Sequence, residues 1–464
     1  MERLPYDIFH KIALYSLPEH PSPTRNQAPI SLCQVSAAWR AAGLSTPSLW
    51  STLFLNIRDI RALKTYKKRV IKWFGRAEAC SISFYIYFTP EDAILDATNA
   101  IPSMLAHWAP LMPQVKHLGI GSDRVTAVLH HFANVAWDLR ALEALELFNQ
   151  GPCSSKDYAS GERLIPHIPM LAKGTPNLRS VTIQNDFIML CGAKGFVPWA
   201  QLTHVFLTEA LLIEDWLSVM TLCTQMQEGE FLVDEGLPYP LPPRCTHTHL
   251  ECLKLRLAYG IDYSILDLLN LVDLPRLRVL ALGHEDRPAS DDPPPPPPSS
   301  ISCLRHIETL MIDHGWCSNP KYVVEILREA VELRELQLES VCAEEDVIIK
   351  ALREGLVPRL RTLRIFANRP LDDPSDAVNV PLLLEMLKTR CGPDGLQDVD
   401  ITADCWPEAP RSRIGELKAG VGSLVSTAAG FSVRLNLASD DSWDWVEVPK
   451  PIFRGWMPPR AFSE

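Results

Sequence analysis

A short apolar phrase that returns along most of the chain constrains the fold more than any other feature. PNLRSVTI (176–183), PRLRVLAL (275–282) and PRLRTLRI (358–365) are near copies of one another. Looser copies with apolar residues in an L-x-x-L-x-L arrangement occur at 113–120, 141–147, 201–207, 249–255, 306–312, 332–338 and 395–401. The copies begin 24–36 residues apart, except for one gap of 48 that a degenerate copy at 226–231 divides in half. This spacing predicts an array of structural repeats.

The segments between the phrases have the apolar spacing of helices. The clearest of them are 211–223, 263–272, 322–332, 345–357 and 380–391. A strand followed by a helix, repeated, predicts an α/β fold with parallel strands on the inside and helices on the outside. The chain therefore resembles leucine-rich-repeat proteins, and we predict a leucine-rich-repeat-like α/β solenoid over 111–437. A doubly wound α/β domain is the alternative, and the absence of a Gly-rich turn after any strand counts against it.

Three short helices are predicted in the first 55 residues. The first has apolar residues every four positions, the second at i, i+3 and i+7, and the third begins at Pro47, a favoured first helical residue. The apolar positions are Leu4, Ile8, Ile12, Leu32, Val35, Trp39, Leu49, Trp50 and Leu53. Helices this short do not secure an independent domain, so they should pack on the following domain or present their apolar side to a partner.

The same segment resembles the F-box, in the form common in fungal proteins. The resemblance lies in L-P-x-D-I-F-x-x-I, then S-L-C-Q-V-S-x-x-W-R, then S-T-P-S-L-W-S-T-L, and it covers residues 4 to about 54. The proline-rich loop at 17–29 is longer than in the usual F-box. The resemblance implies binding to a Skp-type adaptor and, through it, to a cullin–RING ubiquitin ligase. It assigns the adaptor contacts to Leu4, Pro5, Ile8, Ile12, Leu32, Val35 and Trp39.

These patterns divide the chain into four parts. Residues 1–55 form the F-box-like helical domain, 56–110 a connecting helix with the first strand or cap of the solenoid, and 111–437 the solenoid. A proline-rich insertion at 284–300, with six consecutive prolines at 293–298, interrupts the solenoid. The acidic, Trp- and Pro-rich segment 438–464 is predicted to be a tail or a terminal cap.

Composition excludes several classes of function. The formal net charge is −11, which argues against binding to nucleic acid or to anionic lipid. The N-terminus lacks an apolar signal core, and the longest charge-free run, 97–115, contains three prolines, so no membrane association is predicted. The twelve cysteines never form CxxC, which predicts reduced thiols and a location in the cytoplasm, the nucleus or both.

No constellation of residues predicts catalysis. Cys245, His247, His249 and Cys252 are the tightest group of potential zinc ligands, but strand alternation places His249 and Cys252 on opposite faces. Nucleophile-elbow, P-loop and H-E-x-x-H motifs are absent from the sequence. We therefore predict no cofactor, no metal and no enzymatic activity. An enzyme, the third interpretation, would need a deep polar pocket with perturbed titratable groups.

Together these inferences predict a substrate receptor of a ubiquitin ligase. The target protein is expected on the exposed side of the parallel strands. The candidate contacts are Phe148, Phe206, Arg256, Gln337, Arg364 and Phe366. The alternative is a non-catalytic scaffold for protein–protein interaction whose N-terminal helices only cap the solenoid.

Overall fold

The structure, a computed structural model, divides into two compact units. The description covers residues 5–59, 63–89, 100–122, 125–132, 135–148, 171, 173–184, 197–234, 244–257, 265–284, 301–313, 320–339, 346–367, 379–392, 395–403, 411–427 and 432–437. The first unit comprises 1–209, 222–226 and 458–464, and the second comprises 210–221 and 227–457. Leu4, the proline run 293–298 and the segment 438–464 lie outside the described residues.

The first unit begins with three helices and continues with parallel strands. Its helices are α1 (Tyr6–Tyr15), α2 (Leu32–Val35), α3 (Ala37–Leu44), α4 (Leu63–Phe74), α5 (Ala100–Trp108) and α6 (Val125–Phe132). Its strands are β1 (Thr52–Ile57), β2 (Ile82–Phe88), β3 (Val115–Ser122), β4 (Ala144–Phe148), β5 (Ser180–Gln184) and β6 (His204–Leu212, whose end belongs to the second unit). Short 3-10 helices span Pro47–Trp50, Ala109–Gln114 and Trp199–Gln201. Each strand from β1 to β5 pairs in parallel with the next one along the chain.

The second unit repeats this pattern of strand and helix. Its strands are β7 (Glu228–Asp234), β8 (Cys245–Thr246), β9 (Cys252–Leu257), β10 (Val272–Asp273), β11 (Val279–His284), β12 (Thr309–Ile312), β13 (Glu335–Glu339), β14 (Thr362–Ala367), β15 (Asp398–Ala403) and β16 (Ser432–Leu437). Its helices are α7 (Ile213–Leu222), α8 (Ile265–Asn270), α9 (Pro320–Glu329), α10 (Asp346–Arg353), α11 (Val380–Arg390) and α12 (Arg411–Thr427), with a 3-10 helix at Ser302–His306. Strand β7 pairs with β9, β9 with β11, and the series continues in parallel to β16. The two-residue strands β8 and β10 pair separately.

Two columns of apolar side chains form the core of each unit. The second and fourth positions of most strands are branched aliphatic residues, and these positions pair with each other on neighbouring strands. On β13 and β14, for example, Leu336 pairs with Leu363 and Leu338 with Ile365. These four side chains are buried. The first leucine of each phrase, for example Leu360, lies just before the strand and is also buried. The phrase is thus the part of each repeat that enters the core.

A backbone hydrogen-bond ladder connects each repeat to the next. The carbonyl oxygen of Arg334, the residue before β13, accepts from the amides of Arg361 (2.8 Å) and Thr362 (2.9 Å) in the following repeat. The carbonyl of Arg361 accepts in the same way from Gln397 (2.8 Å) and Asp398 (3.1 Å). The same two-amide arrangement recurs at the carbonyls of Glu143, Arg179, Gln227, Glu251, Arg278 and Glu308. At these eight steps the next strand therefore starts from a position fixed by the preceding repeat.

The α/β class and the parallel strands are confirmed. All ten copies of the phrase lead into strands, the degenerate copy leads into β7, and the five predicted helices correspond to α7 to α11. Strand β2 lies within 56–110, where a first strand or cap was predicted, whereas none of the phrases predicted β1, β8, β10 or β16. Because β1 begins at Thr52, the boundary predicted at residue 55 falls inside a strand.

Two details of the predicted N-terminal helices are wrong. The second helix is interrupted at Ser36, which has extended backbone angles, so Leu32 and Val35 lie on a separate short helix from Trp39. The Ser36 hydroxyl caps α3 by accepting from the Trp39 amide at 3.2 Å. The third helix is a single 3-10 turn, and Leu53 belongs to β1.

We predict that Gly121→Ala destabilises the first unit. Phe148 lies across the backbone of β3, and a Cβ at Gly121 would come 2.0 Å from Cε2 of Phe148. Overpacking of this kind costs about 1–3 kcal/mol. Gly422→Ala is the matched control, because no atom lies within 4 Å of that Cβ position on α12. Urea unfolding should show a lower midpoint for Gly121→Ala alone, and equal midpoints for the two variants would contradict the described packing.

Candidate protein-binding surfaces

Helix α1 has a buried side and an unusually apolar exposed side. Phe9 and Ala13 are buried. Ile8 is 40 % exposed, Ile12 is 42 % exposed and Tyr15 is 90 % exposed. Because residues four and three positions apart share a helix face, these three form an apolar stripe that faces solvent.

Helices α2 and α3 add to the exposed apolar surface. Val35, the last residue of α2, is 62 % exposed, and Leu44, the last residue of α3, is also exposed. Of the eleven large hydrophobic side chains that are exposed among the described residues, seven lie in these three helices. We call this set of exposed side chains the N-terminal apolar face, and it covers more than one side of α1 because Ile12 and Leu14 are about 200° apart around the helix. Its members are Tyr6, Ile8, Ile12, Leu14, Tyr15, Val35 and Leu44.

The residues assigned to adaptor binding divide between this face and the interior. Pro5, Ile8, Ile12 and Val35 are exposed, whereas Leu32 is buried. Trp39 is half-buried and meets the edge of Phe9 with ring centroids 5.2 Å apart, an edge-to-face geometry that supports α1 on α3. Leu14 and Leu44 were not assigned, although both are large apolar residues within the F-box-like segment.

Tryptophan residues attach the three helices to the strands that follow. The Trp50 Nε1–H donates to the carbonyl of Gly43 at 2.8 Å, and the Trp50 ring meets Trp73 of α4 edge-on at 4.9 Å. The Trp73 Nε1–H donates to the carbonyl of Thr52 at 3.0 Å. On α1, the hydroxyls of Tyr6 and Thr46 are hydrogen-bonded at 3.0 Å. The helices are therefore held from one side while the N-terminal apolar face stays open.

The long loop at 17–29 lies against β1. The amide of Phe54 donates to the carbonyl of Pro21 at 2.7 Å, so the loop satisfies a donor of a strand that pairs only with β2 among the described residues. The His20 ring packs against Phe54 at 5.9 Å and against Tyr85 at 5.0 Å. Burial lowers the pKa of His20, and Glu19 partly opposes that shift. Among the described residues, its Nδ1 has no hydrogen-bond partner.

The outer face of the strands is closed at the predicted aromatic contacts. We use outer face for the side of the strands opposite the aliphatic core. Phe148 and Phe206 are 2 % and 1 % exposed, and Phe366 in the second unit is 4 % exposed. Phe148 stacks with Tyr87 at 6.0 Å. These three rings are therefore covered in the described state, where they serve as packing.

Two of the polar candidates on the outer face of the second unit have side-chain partners within the sheet, Gln337 on its own strand and Arg364 on the neighbouring one. Gln337 is 5 % exposed, and its Nε2 lies 3.4 Å from Glu339 Oε1. Arg364 forms an ion pair with Glu335 at 2.8 Å. Arg256 is half-buried. The outer face thus offers little free polar surface at these positions.

Other kinds of site find no support in the part of the chain that the structure describes. In these residues no three His, Cys, Asp or Glu side chains are grouped as metal ligands. His247, from the group considered for zinc, is buried and Cys252 half-buried. None of the described helices has the length and hydropathy needed to cross a bilayer.

Comparisons with known proteins do not assign this chain to a family. No protein-family model matches the sequence, and no curated protein matches it. The exposed apolar side chains of the N-terminal helices are therefore the strongest guide to function.

We predict that His20 makes the protein less stable in mild acid. Its pKa in the folded state lies below the ordinary 6.5, so the unfolded chain binds a proton first as the pH falls. The stability that depends on neutral His20 is fully present above the pKa of this residue in the unfolded chain, about 6.5. It is lost as the pH falls from there to the lower folded-state pKa. His20→Phe keeps a ring in the site and should remove this component.

The measurement is the urea midpoint at pH 7 and pH 5.5 for the wild type, His20→Phe and His107→Phe. His107 lies exposed on α5, so His107→Phe removes a histidine outside the His20 site and serves as the control. This variant should keep the difference between the two midpoints that the wild type shows. The same acid sensitivity in all three proteins would exclude His20 as its source.

Proposed function

We propose that this chain is a non-catalytic substrate receptor of an SCF-type cullin–RING ubiquitin ligase. The helices of residues 5–50 would bind a Skp-type adaptor, and the parallel-strand repeats, a leucine-rich-repeat-like solenoid, would bind the protein to be ubiquitinated. The observation that carries this proposal is the N-terminal apolar face. Seven exposed large hydrophobic side chains lie within thirty-nine residues of the chain, from Tyr6 to Leu44.

A concentration of this kind favours a protein-binding role. Exposed apolar residues are ordinary when they are scattered, and they indicate an interaction site when many occur together. Apart from those in the three helices, the described residues include only four comparable side chains, which are Leu212, Val331, Val347 and Val425. The F-box-like sequence blocks coincide with the segment that carries the other seven, and this agreement joins the apolar surface to a specific partner.

In this proposal the chain contributes position, not chemistry. A receptor that holds its target near the conjugating enzyme raises the effective concentration of the reacting groups. No side chain of the receptor then needs to touch the reacting atoms. We place the protein in the cytoplasm or the nucleus, where such ligases work. Burial raises the pKa of Cys303 to about 12, which keeps this thiol protonated and suits a reducing compartment.

A second candidate function is a scaffold whose N-terminal helices only cap the repeats. The hydrogen bond from the Phe54 amide to the Pro21 carbonyl favours it, because the loop between α1 and α2 covers part of β1. Terminal repeats need such a cover. The two functions differ in whether the exposed side of the same helices meets an adaptor.

We predict that Ile12→Asp/Val35→Asp weakens binding of a purified Skp-type adaptor about 100-fold or more, measured by isothermal titration calorimetry. Burial of an aliphatic side chain contributes about 1.5–3 kcal/mol, and a factor of 100 corresponds to about 2.7 kcal/mol. Both side chains are exposed in the free protein, so the substitutions should leave the fold intact. Trp39→Ala is a poorer probe because that ring supports Phe9.

The matched control is Val347→Asp/Val331→Asp. These valines are 40 % and 52 % exposed, close to the values for Ile12 and Val35, and they lie in the second unit. The control should bind the adaptor like the wild type, and circular dichroism should show equal melting temperatures for all three proteins. A folded wild type that does not bind the adaptor, or an equal loss in both double variants, would reject the ligase-receptor function in favour of the scaffold.

A further inference from the structure

A row of arginines marks the start of the strands in the second unit. Arg278, Arg334 and Arg361 occupy the same place in their repeats, immediately before β11, β13 and β14. Two further arginines, Arg276 and Arg359, stand two residues earlier in their phrases. We call the following set the arginine rim: Arg276, Arg278, Arg305, Arg334, Arg359 and Arg361. All six side chains are exposed.

The backbone ladder brings these arginines close together. The Arg278 carbonyl accepts from the amide of Glu308, the Glu308 carbonyl from that of Arg334, and the Arg334 carbonyl from that of Arg361, each at 2.8 Å. Arg334 and Arg361 are thus direct neighbours, one strand spacing of about 4.8 Å apart. Arg278 is two further strand steps from Arg334, so the row from Arg278 to Arg361 extends about 14 Å.

The rim has more positive charge than its neighbours neutralise. Arg278, Arg305 and Arg359 form exposed ion pairs with Glu308, Glu329 and Glu332, at 4.0, 3.9 and 3.5 Å. No carboxylate in the described part of the chain lies within ion-pair distance of Arg276, Arg334 or Arg361. Among the described residues, the six arginines of the rim and the three glutamates paired with them sum to +3, in a chain whose formal charge is −11. The rim is therefore locally positive in a chain that is negative as a whole.

Two like charges directly opposite each other on neighbouring strands are unfavourable. Arg334 and Arg361 have this arrangement, and nothing in their packing requires it, because both side chains point to solvent. Glu308 separates Arg278 from Arg334, whereas no acid separates Arg334 from Arg361. A bound carboxylate would offset the repulsion, and a guanidinium presents its donors in a planar fork that fits a carboxylate.

We propose that the arginine rim binds a carboxylate-rich segment of a partner protein. An extended segment of about four residues would span the 14 Å row, since each residue extends about 3.3–3.6 Å. Acidic side chains on alternate residues would face Arg334 and Arg361. The further claim that the rim recognises the protein to be ubiquitinated rests on the receptor function proposed above. The binding of an acidic segment does not depend on it.

The test uses the full-length protein and a fluorescein-labelled peptide of alternating Glu and Ser, followed by fluorescence anisotropy at low salt. Arg334→Gln/Arg361→Gln should weaken binding about tenfold or more, and added salt should weaken wild-type binding, because the contacts are exposed and ionic. Lys64→Gln/Lys68→Gln makes the same change in net charge on the exposed face of α4 and should bind like the wild type. A peptide with Gln in place of Glu should not bind.

Several results would overturn the proposal. These are no binding by the wild type, equal binding by the two double variants, or equal binding of the Gln peptide. A phosphoserine peptide that binds where the Glu peptide does not would also overturn it, because it would show that phosphate is the recognised group. Equal melting temperatures exclude unfolding as the cause of a loss. The arginine variant should keep wild-type affinity for the adaptor, so failure at the rim is distinguishable from failure of the ligase-receptor function.

Discussion

The carbonyl that accepts from two amides of the next repeat, found at eight steps along the described strands, is the constraint on which the rest of the structure depends. It fixes where a strand begins relative to the preceding one, and the register of every side chain on that strand follows. With the register set, the leucines of successive phrases align in two buried columns, and the residues between them align on the outer face. The hydrophobic burial supplies most of the free energy, and the backbone bond determines which residues are buried. The arginine rim and the aromatic stacking over Gly121 both result from this alignment.

The strands of the repeats were predictable from sequence because polar and aliphatic residues alternate along each phrase. Strand β2 lacks this alternation because it is apolar on both faces. Phe84 and Ile86 enter the core, while Tyr85 and Tyr87 lie on the outer face. Apolar residues on both faces are typical of a strand buried from both sides and remove the alternation on which prediction depends. The closure of the outer face at Phe148 and Phe366 was unpredictable for a related reason. A pattern gives the side of a strand to which a residue points, and it does not tell what covers that side.

The N-terminal helices were predicted in part. The stripe of Ile8 and Ile12 has the period of a helix, and the structure places both on its exposed side. The position of Val35 depends on a break that periodicity does not show, because Ser36 ends one helix and caps the next. Periodicity therefore located the helices, while the choice between exposed and interior residues, such as Val35 and Leu32, required the three-dimensional arrangement. The same segment both anchors the first strand, through Pro21 and the tryptophans, and leaves seven large apolar side chains exposed. Contacts that attach the helices to the first strands and exposed apolar side chains are thus combined in about fifty residues.

The ladder also determines which changes in chain length the protein can tolerate. Inserted residues that follow a strand, where the copies already differ in spacing, leave the next carbonyl-to-amide step intact. An insertion of one residue inside a phrase such as PRLRTLRI would instead move every later side chain of that strand to the opposite face. The edge where strands begin is therefore restricted to substitutions, whereas the edge where they end can accept longer segments at a modest entropic cost. Such a chain can diverge rapidly at one edge of its strands while its core stays unchanged.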